Sequence, residues 1–190
     1  MAQSAAVGVV ERPSPARVGA VVWLASELMF FAGLFAAYFT IRASVADWPP
    51  GGVELDAARG GIFTLLLVAS SATMQLAHHA SEHGDLRRMG RWLAGTLALG
   101  TVFLVNQGLE YAANDFSISS HAYGSIYYLM TGLHGLHVLG GLLAMVLLMI
   151  RASVDTDAAA QEPTVAVVSY YWHFVDVVWI GLFATLYFVR

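Results

Sequence analysis

Apolar residues along the chain fall into five long runs, and charged residues separate one run from the next. The runs cover residues 18–41, 60–77, 92–112, 122–150 and 165–189. A membrane-spanning helix needs about 20 predominantly apolar residues, which extend about 30 Å at about 1.5 Å per residue. Transmembrane β-strands need only about half as many residues. The pattern therefore predicts an all-α integral membrane protein, a bundle of five transmembrane helices.

Four polar connections join the predicted helices, at residues 42–59, 78–91, 113–121 and 151–164. The first 17 residues are polar, so we expect a short cytoplasmic N-terminal segment rather than a signal peptide, whose apolar core would lie near its start. No internal repeat is visible. Residues 18–190 are therefore predicted to form a single five-helix membrane domain.

Arginines are distributed unevenly between the two sides of this predicted bundle. Six lie in the N-terminal segment, the second connection and the fourth connection: Arg12, Arg17, Arg87, Arg88, Arg91 and Arg151. Three lie on the opposite side: Arg42, Arg59 and Arg190. Cytoplasmic loops carry the excess of basic residues. We therefore expect a multi-pass protein of the plasma membrane with its N-terminus in the cytoplasm and its C-terminus outside.

The composition narrows the possible chemistry. Hydrophobic residues make up 58% of the chain and charged residues 12%, against about 25% charged in an average soluble domain, which excludes a soluble globular protein. Every basic residue is Arg, which excludes chemistry through a lysine Schiff base. The lack of Cys excludes an iron–sulfur cluster, a Cys-ligated copper centre and a thioether-linked haem. A net charge of −4 without a basic tract gives no indication of nucleic acid as a partner.

Ionisable residues inside the predicted helices are the first candidates for function, because a charge in lipid costs several kcal/mol unless it is paired or faces a polar interior. They are Glu27, Glu110, His134, His137, His173 and Asp176. Glu27 has apolar neighbours on both sides. Two interpretations of Glu27 stay open: a proton-exchanging or lipid-facing carboxyl, and a protonated carboxyl that is hydrogen-bonded to another helix.

His134 and His137 are three residues apart, which places them on one face of a helix. Haem axial ligands lie on opposite sides of the iron, so two histidines at this spacing cannot bind one haem between them. The favoured interpretation is hydrogen bonding to neighbouring helices. Small residues nearby would allow those helices to approach closely: Gly132, Gly135, Gly140 and Gly141.

His173 and Asp176 have the same spacing and are expected to pair directly, which would explain how both are tolerated at membrane depth. The alternative is an orienting pair for base catalysis, but no Ser or Cys accompanies it in the sequence. The chain is thus predicted to contain no catalytic residue, no cofactor ligand and no metal site.

Six segments in order along the chain resemble subunit III of the haem–copper cytochrome c oxidases. They are SELMFFAGLFAAYF (26–39), AHH (77–79), QGLEY (107–111), YGS (123–125), TGLHGLH (131–137) and YWHFVDVVW (171–179). The resemblance covers nearly the whole chain from about residue 23, and the last segment is highly specific. The five-helix form is similar to that of actinobacterial aa3-type oxidases.

The resemblance implies a non-redox accessory subunit of a proton-translocating aa3-type oxidase in the aerobic respiratory chain of a bacterium. Such a subunit stabilises the catalytic subunit, supports proton uptake and binds phospholipid. Haem a and copper are then expected in the partner subunits, I and II, and a cytochrome bc complex is a further candidate partner in a supercomplex. The usual form has seven helices, and the first two, which make one wall of a lipid cleft, have no counterpart here, so another subunit would have to supply that wall.

The resemblance also assigns individual residues. Glu27 corresponds to the family's carbodiimide-reactive carboxyl, and His78 and His79 match its cytoplasmic histidine pair. Five titratable residues lie close together in the second predicted connection: His78, His79, Glu82, His83 and Asp85. They are interpreted either as a proton-collecting surface or as a solvated loop, and the resemblance favours proton collection.

Other functions stay open at the level of sequence. A nearer alternative is subunit III of a quinol oxidase, or an accessory protein of nitric oxide reductase. Ser26 with Glu27 and the segment 172–179 favour the cytochrome c branch. A different class is a diheme membrane anchor that uses His134, His137, His78 or His173.

Overall fold

A computed structural model describes residues 15–155 and 157–189. In this part of the chain there are five long helices: α1 (Pro15–Ser44), α2 (Ala57–Glu82), α3 (Leu86–Ala113), α4 (Ala122–Val154) and α5 (Ala158–Phe183). A π-helical turn, Ala184–Phe188, extends α5. All five helices are long and apolar enough to cross a membrane. The predicted all-α fold and number of helices are confirmed.

Four of the helices begin at a side chain that caps their free backbone N–H groups. Asp56 accepts from the backbone N–H of Arg59 at 2.9 Å, and Asp85 accepts from that of Arg88 at 2.8 Å. His121 caps α4 and Asp157 caps α5 in the same way.

The predicted connections were too long, because the helices continue beyond their apolar runs into polar residues. The second connection shrinks from residues 78–91 to residues 83–85, and the fourth from 151–164 to 155–157. His78, His79 and Glu82 therefore lie in the last turns of α2 and not in a loop.

Contacts between distant residues show that successive helices run in opposite directions. Arg17, at the start of α1, contacts Glu162, near the start of α5, and His78, near the end of α2, lies 3.6 Å from Glu162. We call this the N-terminal end of the bundle. At the opposite end, Arg59 of α2 donates to Asn106 of α3 at 2.8 Å.

α5 lies at the centre of the bundle and α1 at its edge. α5 packs against α1, α2 and α4, whereas α3 packs against α2 and α4. Only Ala20, Phe31 and Tyr38 are buried in α1. The remaining surface of α1 is largely apolar and exposed, and includes Val22, which is 66% exposed, and Met29, which is 76% exposed.

Trp172 of α5 is the largest fully buried side chain. Its ring lies against two glycines of neighbouring helices, and a Cβ atom added to Gly100 or to Gly141 would come within 2.7 Å of it. The indole N–H of Trp172 donates to the hydroxyl of Ser70 at 2.9 Å. The close approach predicted for the glycines of α4 is confirmed at Gly141 and at Gly140, whose added Cβ would lie 3.2 Å from the Tyr171 hydroxyl. Around Gly132 and Gly135 the nearest atoms lie at ordinary contact distances of 3.8 Å and 3.6 Å.

Candidate functional site

Glu27 and His137 join α1 to α4 halfway along the bundle. Glu27 Oε2 lies 3.2 Å from His137 Nε2. His137 Nδ1 lies 2.8 Å from the carbonyl oxygen of Leu133. A carbonyl oxygen can only accept a hydrogen bond, so Nδ1 must carry a proton to bond there. A neutral imidazole with its proton on Nδ1 accepts at Nε2, so the contact with Glu27 contains a proton. Either Glu27 donates as a carboxylic acid or His137 is an imidazolium, and the pair has no net charge in either case.

Aromatic rings enclose this pair on the inner side. Phe31 meets the His137 ring edge-on with centroids 5.1 Å apart, and the hydroxyl of Tyr171 donates to the carbonyl of His137 at 2.8 Å. The side chains of Glu27 and His137 stay 23% and 18% exposed. The hydrogen bond to another helix that was one interpretation of Glu27 is present, and the carboxyl also reaches the outer surface of the bundle.

His134 has a different environment from His137. It is 1% exposed, and its ring lies 4.9 Å from that of Trp179 and 6.0 Å from that of Phe103. Neither ring nitrogen has a hydrogen-bond partner among the described residues. The expectation of hydrogen bonding to a neighbouring helix is thus confirmed for His137 and wrong for His134. The His134 ring packs between Phe103 of α3 and Trp179 of α5, whereas the His137 ring meets Glu27 and Phe31 of α1.

His173 and Asp176 do not pair directly, contrary to expectation. The hydroxyl of Ser71, on α2, lies between them: it donates to Asp176 Oδ2 and is 2.9 Å from His173 Nδ1. His173 Nε2 lies 3.2 Å from Gln75 Oε1. Base activation of a serine requires the imidazole to lie between the hydroxyl and the carboxylate. Here the hydroxyl lies between the other two groups, so this arrangement is absent. These contacts fasten α5 to α2.

Glu110 lies at the opposite end of the bundle from Arg17 and holds three helices together. Its Oε1 accepts hydrogen bonds from the hydroxyls of Tyr127, at 3.0 Å, and Tyr187, at 2.5 Å. Tyr127 belongs to α4, and Tyr187 to the turn that extends α5. A carboxyl held by two phenols is a structural connection.

The N-terminal end of the bundle carries the densest group of titratable side chains among the described residues. His78 Nε2 lies 3.8 Å from Glu82 Oε1 and 3.6 Å from Glu162 Oε1, and His79 Nδ1 lies 3.4 Å from Glu82 Oε2. The rings of His79 and His83 are 4.3 Å apart. We call these five residues the titratable cluster: His78, His79, Glu82, His83 and Glu162.

Three residues that complete these groups were not predicted from the sequence. Ser71 bridges His173 and Asp176, Glu162 joins the titratable cluster from α5, and Arg17 contacts Glu162 from α1. Each lies far along the chain from the residues it contacts, so no local spacing could indicate it. Asp85 of the predicted collecting surface instead caps α3.

Comparison with known proteins adds independent findings. The family model for cytochrome c oxidase subunit III matches residues 10–190, a range that contains all six motifs of the sequence analysis. The probable cytochrome c oxidase subunit 3 of Nocardia farcinica is 52% identical over 185 residues, which cover 95% of this chain and 91% of the relative. The cytochrome c oxidase subunit 3 of Corynebacterium diphtheriae is 44% identical over 196 residues, covering 100% and 96%. That of Thermostichus vulcanus is 39% identical over 178 residues, covering 93% and 89%.

Proposed function

Because this chain belongs to the cytochrome c oxidase subunit III family and is an accessory subunit of that oxidase, we propose that it supports proton uptake by the neighbouring redox subunit. The titratable cluster at its N-terminal end is the part that collects the protons. The chain itself contributes no redox centre to this role.

The observation that carries the proposal is the placement of three imidazoles and two carboxylates at one end of the bundle. His79, Glu82 and His83 are exposed, and His78 and Glu162 lie directly behind them. Imidazole exchanges protons near neutral pH, and carboxylates attract protons to the surface. Such a group delivers protons faster than bulk water alone when bulk protons are scarce.

The test is the pH profile of turnover in the intact oxidase complex. We expect replacement of His78, His79 and His83 together by Gln to slow turnover most at about pH 8 and above, and little at about pH 6, where bulk protons are abundant. Inactivation during turnover should increase as well, while the haem spectra stay unchanged. Wild-type turnover of the triple variant at pH 8 in intact complexes would contradict proton collection.

A matched control removes titratable groups from the opposite end of the bundle. Asp47 and Glu54 are exposed there, and replacement of both by their amides should leave the pH profile unchanged. A similar slowing in this control would show that the effect of the triple variant comes from general surface charge.

Proton collection requires that the N-terminal end face the cytoplasm, as we propose for a bacterial plasma membrane. Among the described residues, five arginines lie at or near this end (Arg17, Arg87, Arg88, Arg91 and Arg151), and two lie towards the opposite end (Arg42 and Arg59). This excess supports a cytoplasmic N-terminus. Arg12 and Arg190, which enter the count from sequence, lie outside the described residues, as does most of the predicted segment 1–17.

We also propose oxidase subunits I and II, with their haem a and copper, and phospholipid as the partners of this chain, with a cytochrome bc complex as a further one. The exposed apolar face of α1 supports a lipid or protein neighbour there. Purification of the complex with mass spectrometry and a reduced-minus-oxidised spectrum tests this set. A Soret band intrinsic to the isolated chain would instead support the diheme anchor, and co-purification with a quinol oxidase or nitric oxide reductase would support those alternatives.

A further inference from the structure

We propose that His78, Glu82 and Glu162 form a binding site for a divalent transition-metal ion of the Zn²⁺ type. No metal site was predicted from the sequence, because the histidines lie on helix faces without Cys or a complete ligand set. The fold changes this by bringing Glu162 of α5 to the end of α2. One imidazole nitrogen and two carboxylate oxygens are ligands that Zn²⁺ accepts, with water in the fourth position.

The distances between the three ligand atoms fit a single ion. His78 Nε2 lies 3.8 Å from Glu82 Oε1 and 3.6 Å from Glu162 Oε1, and all three atoms lie within 4.8 Å of one another. Ligands about 2.0–2.1 Å from a tetrahedral Zn²⁺ are about 3.3 Å apart. Small side-chain movements are therefore enough to close the site.

His78 provides a second, independent observation. Its side chain is only 10% exposed, and its Nε2 atom has no hydrogen-bond partner among the described residues. Buried polar atoms nearly always have a partner, because an unsatisfied one costs about 1–3 kcal/mol. Nε2 points towards two carboxylate oxygens that are too distant for a hydrogen bond. An ion between the three ligand atoms would give Nε2 of His78 the partner that it lacks.

Arg17 competes for one of the ligands. Its guanidinium contacts the same Glu162 oxygen that faces His78. Two carboxylates with one guanidinium leave a net negative charge, which attracts a cation. Because the ion and Arg17 both need Glu162 Oε1, the position of Arg17 should set the affinity.

A neighbouring set of residues offers the main alternative position. His79, Glu82 and His83 also bring their ligand atoms within 4.8 Å, but all three are exposed and belong to α2 or the turn after it. Glu82 directs one oxygen towards each set. The unpartnered buried nitrogen belongs to His78. The proposed site is therefore the set of His78, Glu82 and Glu162, which we call the inner site.

X-ray absorption at the zinc edge distinguishes the two sets without any variant. The full chain in detergent, purified without a histidine tag, is loaded with one equivalent of Zn²⁺ at about pH 7.5, where imidazole is mostly neutral. We expect one ion per chain with one imidazole and oxygen ligands. Two imidazoles per ion, or no ion retained after exchange into metal-free buffer, would overturn the proposal.

Variants then test each ligand by calorimetric titration with Zn²⁺. His78→Gln and Glu162→Gln should each weaken binding by at least about tenfold, a loss that even outer-shell changes cause. His79→Gln and His83→Gln are the matched controls and should bind as the wild type does. Arg17→Gln should bind more tightly. Loss of binding in the controls, its survival in Glu162→Gln, or weaker binding in Arg17→Gln would count against the inner site.

The circular dichroism and melting temperature of each variant without metal show whether it has folded. The proposal does not depend on proton collection, because binding is measured without turnover. A chain that binds Zn²⁺ through His78 but leaves oxidase turnover independent of the titratable cluster would support the site and contradict the proton-uptake role.

Discussion

Among single residues, Glu27 shows best how a carboxyl is tolerated at membrane depth. His137 donates its Nδ1 proton to a backbone carbonyl of its own helix, which leaves Nε2 free for Glu27. The two groups share a proton and carry no net charge, so neither is an isolated charge in lipid. Glu110 is stabilised differently, by two tyrosine hydroxyls on one oxygen. The two acids therefore differ in the groups that hold their carboxyls.

Hydrophobic carbodiimides react with protonated carboxyls that are accessible from lipid, so we expect Glu27 to be the main labelled residue, ahead of Glu110. Glu27 is 23% exposed at the edge helix, whereas one oxygen of Glu110 is held by hydrogen bonds from the hydroxyls of Tyr127 and Tyr187. Mass spectrometry of peptides from the labelled complex measures the distribution. Label found only on acids near the surface, such as Glu54 or Glu162, would show that the interpretation of Glu27 is wrong.

Two substitutions test the energy of the same contact. Glu27→Gln keeps a hydrogen-bonding amide opposite His137 and should assemble normally. Glu27→Leu leaves Nε2 of His137 without a partner and should lower the free energy of unfolding by about 1–3 kcal/mol. Thermal unfolding of the detergent-solubilised chain measures the difference, and equal stability of the two variants would contradict a structural hydrogen bond.

At the scale of helices, the packing of α5 explains why small residues lie where they do. Trp172 occupies the space between Gly100 of α3 and Gly141 of α4, and its hydrogen bond to Ser70 of α2 holds the ring in place. Four helices therefore meet at one side chain. A methyl group at either glycine has no room unless the indole moves.

Gly100→Ala should destabilise the bundle, because the new Cβ would lie 2.7 Å from the Trp172 ring and overpacking of this kind costs about 1–3 kcal/mol. Gly108→Ala is the matched control on the same helix, since its Cβ would meet nothing within 4 Å. The control should be neutral or more stable, by up to about 1 kcal/mol, from helix propensity alone. Melting temperatures of the purified chain compare the two, and a Gly100→Ala variant as stable as the control would show that the contact adapts easily.

For the whole molecule, the proposed direction in the membrane rests on the difference between the two ends of the bundle. In the described part of the chain, the connection between α2 and α3 and the connection between α4 and α5 lie at the N-terminal end. Arg17 and the titratable cluster lie at the same end. The opposite end carries Trp48, Glu110 and the tyrosines around them. The two ends thus differ in both charge and aromatic content.

A topology experiment checks the direction that the arginines indicate. Alkaline phosphatase fused after Arg190 or within the connection 45–56 should be active, because the enzyme needs an environment outside the cytoplasm. The same reporter placed in the turn 83–85 should be inactive. Activity in the reverse pattern would show that the N-terminus is outside, and proton collection by the titratable cluster would then fail with it.

The number, order and type of the helices were determined by the sequence itself. Apolar runs of this length can satisfy their backbone hydrogen bonds in lipid only as helices, so no tertiary information is needed to predict five of them. The ends of the helices were predicted less accurately, because α2 and α4 continue past their apolar runs to short turns. The motifs that resemble the oxidase subunit were also readable without the fold.

Only the tertiary structure decided which polar side chains meet. A spacing of three residues leaves two side chains about 60° apart around a helix, so His134 turns towards Trp179 while His137 turns towards Glu27. Ser71 separates His173 from Asp176, and Glu162 joins His78, through contacts between helices distant in sequence. Such contacts depend on how each helix is rotated and offset against its neighbours. That is set by the packing of large and small side chains across the whole bundle, which local spacing does not encode.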